Sequence, residues 1–207
     1  MIKRILFTTL ITLTLYTGFA QNRFKEPVSY KLKNGMNIII SENDNSEQAY
    51  SSFTLDKNAF KNKKDGIVEL LNAVLNEGLE KNRGISFRDN SGALSVSKTD
   101  FENSLQVMAK IIINTNLTKN TFDIAKAKLL MSLKTQDYDY DETVTAKSIA
   151  ALSLMDVQEF YNQITPNRTY LTLAGNINTD EAKTAAKKAF GNWNKEIKKT
   201  VTIMETK

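Results

Sequence analysis

The chain has 207 residues and contains neither histidine nor cysteine, so its chemistry must come from carboxylates, amines, amides and hydroxyls. Without imidazole or thiol, the usual zinc or copper site, a Ser-His dyad and a cysteine nucleophile are excluded. Glu69 and Asn72 lie three residues apart, with Ala73 adjacent and Asn76 one turn further, on one side of a stretch with helical periodicity. Such a face either hydrogen-bonds a ligand or is solvated surface, and solvated surface is the commoner outcome. The acidic run from Asp137 to Glu142 offers the oxygen ligands that Ca²⁺ takes. Its interleaved tyrosines and lack of glycine depart from an EF-hand loop, so an exposed loop is expected. Phe122, Phe160, Tyr161, Phe190 and Trp193 offer stacking surface, at spacings that more often belong to a core. Asn116-Leu117-Thr118 and Asn167-Arg168-Thr169 are glycosylation sequons.

Composition narrows the classes further. With 28 Lys+Arg against 23 Asp+Glu the net charge is only +5. The basic runs Lys61-Asn62-Lys63-Lys64 and Lys195 to Lys199 lack interleaved aromatics, so a nucleic-acid partner is not expected. Hydrophobic residues at 41% and charged residues at 25% suit an ordinary globular domain. Lys3 and Arg4, the apolar stretch Ile5 to Tyr16 and the small-x-small site Gly18-Phe19-Ala20 read as a signal peptide over residues 1–20. The expectation is an exported protein, periplasmic or secreted, with no membrane span in the mature chain. Residues 21–207 then form one domain with a core over about 28–194, a size that needs no disulfide.

The elements that must position Glu69, Asn72 and Ala73 follow from periodicity. Val28 to Lys33 and Met36 to Ile40 flank Asn34-Gly35, a hairpin with the signal for a type I′ turn, and Ala49 to Leu55 alternates as a third strand. Lys57 to Lys64 reads as a basic linker. Ile67, Leu70, Leu71, Val74 and Leu75 recur at helical spacing from Gly66 to Glu77, with Asp65 as the expected cap and Gly78 as the stop. Lys81 to Ser91 has turn composition, and Gly92 to Ser97 reads as a short strand. Helices are expected over Phe101 to Asn114 behind an Asp100 cap, Thr121 to Leu133, Ala146 to Leu152, Leu154 to Gln163 behind Ser153, and Thr179 to Phe190. Pro166-Asn167 turns the chain into a strand, Tyr170 to Ala174, stopped by Gly175. An initial hairpin followed by successive helices argues for α+β, with a largely antiparallel sheet covered by helices on one face.

Four ordered anchors resemble pitrilysin/insulinase-type metallopeptidases. They are Leu32-x-Asn34-Gly35-Met36-x-Ile38, the stretch Gly66 to Gly78, the run Asp156 to Tyr161 with Pro166-Asn167 and Leu171 to Ile177, and Phe190-Gly191-Asn192-Trp193. The second lines up with the family's G-x-A-H-x-x-E-H-M-x-x-x-G helix, both glycines and the apolar positions in register. The resemblance implies one insulinase-type half-domain. It puts Glu69 at the first zinc-binding histidine, Asn72 at the general base and Ala73 at the second histidine, so each role is lost. The distal carboxylate ligand would fall near Met131-Ser132, and neither residue ligates zinc well.

The resemblance also implies that the segment between Gly78 and Phe101 is shorter than the family's substrate-facing strand needs, with Gly92-Ala93 its remnant. The reading that follows is a non-catalytic homologue with no catalytic residue, metal or cofactor. It would be a partner or peptide-contacting subunit of a histidine-bearing insulinase-type peptidase, or would pair with itself. The alternatives are a hydrolase using non-histidine residues such as Glu69, and a remnant with no retained role.

Overall fold

A computed structural model describes residues 25–79, 84–136 and 139–194; the expected signal peptide and the basic run at Lys195 lie outside them. Six strands form one sheet: β1 (Val28–Lys31), β2 (Asn37–Glu42), β3 (Gln48–Leu55), β4 (Ile85–Arg88), β5 (Ser91–Ser97) and β6 (Thr169–Gly175). Their spatial order is β1-β2-β6-β3-β5-β4. The β2–β6 pair is parallel and the other four pairs are antiparallel, so the sheet is mixed and largely antiparallel. Met36 to Ile40 and Tyr170 to Ala174 therefore lie side by side, with Ile38 opposite Leu171 and Ile40 opposite Leu173.

Side-chain alternation decides which face is covered. Ile38, Ile40, Ala49, Phe53, Leu94, Leu171 and Leu173 are buried on the inner face, while Tyr50 and Ser95 on the outer face are exposed. Of the helices, α1 (Ile67–Glu77), α2 (Phe101–Ile113) and α6 (Thr179–Phe190) contact the strands, while α3 (Lys119–Thr135) and α5 (Leu154–Gln163) pack against α1 and α4 (Ala146–Ala151) against α3. Helices α2 and α6 pack together and onto the strands, and α3 packs along α1. Ala182, Ala185 and Ala186 give α6 a small-residue face that lets it lie close to the sheet. At its end Phe53 stacks on Phe190, ring centroids 6.0 Å apart, and Trp193 closes the cluster.

Several local expectations differ from what forms. A type I′ turn needs two left-handed residues, yet of the turn residues only Gly35 has positive φ, at 91°. Leu32 N–H donates to the Met36 carbonyl across a three-residue turn. The Asn34 side chain is engaged elsewhere, donating to the carbonyls of Phe190 at 2.7 Å and Trp193 at 3.1 Å. Helix α1 is entered through Gly66, left-handed at φ 75°, and not through an Asp65 cap. Asp100 makes no side-chain cap; Ser97 caps the short 3-10 turn ahead of α2. The basic linker contains a 3-10 turn over Lys57–Phe60 whose Phe60 is buried. Helix α3 begins earlier than expected, behind a Thr118 cap. Part of the supposed turn segment is strand β4, folded onto β5 through a left-handed Asp89. Gly92-Ala93 sits in β5, one strand in from the edge, and β4 is the edge.

Candidate functional site

Helix α1 places its polar face along a cleft of about 440 Å³. Glu69, Asn72, Ala73 and Asn76 line one wall, Ser86, Phe87 and Arg88 of β4 a second, and Leu129 and Ser132 of α3 with Tyr140 a third. The helix has this orientation because Ile67, Val68, Leu70, Leu71, Val74 and Leu75 are all buried in the core, which leaves the opposite arc for the cleft. The three positions singled out from sequence are thus brought together, and Ser132, at the place expected for the distal ligand, faces them across the cleft while Met131 is 63% exposed.

Their environments differ. Glu69 is half-buried, and burial is the main cause that pushes its carboxyl above the ordinary glutamate range. Its own backbone amide and Lys63 pull the other way, while Asp141 and Asp89 reinforce the rise. Asn72 is 8% exposed, and its Nδ2 donates to the Asp89 carbonyl at 2.6 Å. Asn76 Nδ2 donates to the Phe87 carbonyl at 2.8 Å, and Phe87 N–H donates to Asn76 Oδ1 at 2.9 Å. The expected solvated face is therefore corrected for these two amides, which hold the β4–β5 turn against the helix. Ala73 offers a methyl group packed against the core. Ser132 and Tyr140 hydroxyls bond each other at 3.1 Å.

Zinc is the ion that the resemblance implies for this helix, and these side chains do not fit it. A catalytic zinc site takes three protein ligands. Here one position offers a single half-buried carboxyl, one an amide already bonded to a carbonyl, and one a methyl group. Among the described residues no group of three or more carboxylates is placed to hold a metal ion. In the acidic run, Asp141 accepts from the Thr143 amide at 3.1 Å and hydroxyl at 3.0 Å, a turn within its own loop. The aromatic set is core: Phe122, Phe160, Phe190 and Trp193 are buried, and Tyr161 donates to the carbonyls of Ile112 and Ile113. Arg88 and the place of Tyr140 in the cleft escape a reading of the sequence alone, as does the bracing role of Asn76. The i,i+4 spacing of Asn72 and Asn76 is visible there, but its meaning depends on β4, whose segment reads as turn.

Comparison with known proteins agrees with the architecture. Residues 151–205 match a family model described as the peptidase M16 inactive domain. No curated protein matches the chain in sequence. Among solved structures, a protease from Helicobacter pylori aligns with a TM-score of 0.70 at 17% identity, over 86% of this chain and 53% of that one. The first half of the periplasmic protease PqqL from Escherichia coli aligns at 0.67 and 11% identity, over 83% and 47%. The peptidase M16 inactive domain from Pseudomonas fluorescens aligns at 0.64 and 14% identity, over 83% and 52%. The chain spans about half the length of these relatives. It has the fold of an insulinase-type, or M16, half-domain.

Proposed function

We propose that this chain is a non-catalytic, exported insulinase-like half-domain that serves as a partner subunit of a histidine-bearing homologue. The observation that carries the reading is α1. It keeps the glycine-framed helix and its apolar stripe, yet presents Glu69, Asn72 and Ala73 at the three positions where the resemblance requires histidine, glutamate and histidine. Its amides are spent on holding β4. The family match to an inactive domain and the fold of a half-length relative support the same role. Export rests on Lys3, Arg4 and the apolar stretch before Gln21, and suits a fold found in a periplasmic protease.

A half-domain with one sheet face uncovered among the described residues has surface to offer a second unit; Tyr50 on that face is 43% exposed. Pairing with a homologue lets the partner supply zinc while this chain supplies shape and contacts. Self-association covers the same surface without a second gene. Affinity capture from the native host, followed by sizing of the isolated chain, tests the role. Co-purification of a histidine-bearing insulinase-type peptidase is the expected result, a homodimer alone shifts the partner to a second copy, and a stable monomer without a co-purifying peptidase overturns both.

A further inference from the structure

Strand β4 is the outermost strand on its side of the sheet. Ser95 N–H donates to the Gly84 carbonyl, and Phe87 stands opposite Gly92. In an antiparallel ladder this parity turns residues 84, 86 and 88 toward β5 and points the backbone groups of 85 and 87 outward. Outward amides and carbonyls on an edge strand are the template on which an extended peptide adds as a further strand.

At Phe87 both outward groups are already engaged by Asn76, as acceptor at 2.9 Å and donor at 2.8 Å. A carboxamide carries the same donor and acceptor pair as a peptide group. One side chain therefore makes the two bonds that a residue of an added strand would make. One turn earlier on the same helix, Asn72 takes the Asp89 carbonyl just past the strand's end. The opposite edge of the sheet is guarded differently: β1 is four residues long, follows Pro27 and carries Lys31, features that discourage edge pairing.

We infer that Asn76 is an internal cap that closes the β4 edge to strand addition, so that neither an extended peptide nor a second chain is taken up there. An incoming strand would exchange two formed bonds for two equivalent ones and gain no net pairing at Phe87. The inference rests on α1 and β4 alone and stands or falls separately from the pairing proposed above.

Single-amide hydrogen exchange by NMR on the purified chain, with Asn76→Ala and the near-isosteric Asn76→Leu, tests it. In the wild type the Phe87 amide should exchange slowly and stay unchanged when oxidised insulin B chain is added as an unstructured probe. In the variants its exchange should rise about tenfold, the scale of one lost net hydrogen bond, while the Leu171 and Leu173 amides keep wild-type rates. The probe should then bind the variants about tenfold more tightly than the wild type by fluorescence anisotropy. Should one variant lose its core protection, the other carries the comparison, and the wild-type measurements stand regardless. A Phe87 amide that exchanges as fast in the wild type as in the variants overturns the inference. So does wild-type binding of the probe with new protection at Phe87, and so do variants that expose the amide yet bind no better.

Discussion

At the scale of single residues, Glu69 and the two asparagines behave in opposite ways because their polar atoms meet different surroundings. The amides of Asn72 and Asn76 find backbone partners, so their burial is compensated. Glu69 is half-buried, and its charged form carries the desolvation cost that raises its pKa. The sign of the linkage follows. As pH rises, Glu69 ionises first in the unfolded chain, so the stability contributed by the protonated form is complete below the unfolded pKa and is lost as pH climbs through the higher folded value. Glu69→Gln should therefore match the wild type below about pH 4 and show the higher melting temperature at neutral pH. Thermal unfolding followed across that range checks this, and a variant less stable than the wild type at pH 7 would mean that the carboxylate has a stabilising partner. The absence of histidine at positions 69 and 73 is plain in the sequence; the use of Asn72 as a brace is not, since an amide on a helix face looks the same whether it meets water or a carbonyl.

At the scale of elements, the strongly periodic segments are legible and the short or specially entered ones are not. Helix α1 declares itself through six buried apolar residues, and α5 through Ser153 with Asp156, a reciprocal capping pair in which Ser153 N–H donates to Asp156 Oδ2 at 2.8 Å. Strand β4 hides because Ile85-Ser86-Phe87-Arg88 buries only Phe87 and sits among polar residues; its pairing with β5 and the helix amides, not its own hydrophobicity, make it a strand. The entry to α1 hides for a related reason. Asp65 looks like a cap, but the chain turns through Gly66 at φ 75°, where an added Cβ would also run into Ile149 Cδ1 of α4. Gly66→Ala should cost ~1–3 kcal/mol for the left-handed conformation. Urea unfolding should show this as a lower midpoint at unchanged slope, and an unchanged midpoint would mean that α1 starts equally well without the left-handed turn.

At the scale of the whole molecule, the sheet order, the helical cover and the aromatic close at Phe190 and Trp193 give the fold of an M16 half-domain, about half the length of the solved structures it resembles. The expected α+β architecture agrees with that result because hairpin, helix run and glycine-stopped strand each carry a local signal, while the single parallel pair, β2 with β6, is a long-range contact that no local pattern announces. The proposed role needs the cleft beside α1 to be chemically silent while the scaffold stays intact. Metal content of the purified, folded chain, measured by elemental analysis after equilibration with zinc and gel filtration, tests this most directly. The proposed role predicts zinc far below one ion per chain; one tightly held zinc per chain, removed only by a chelator, would contradict it.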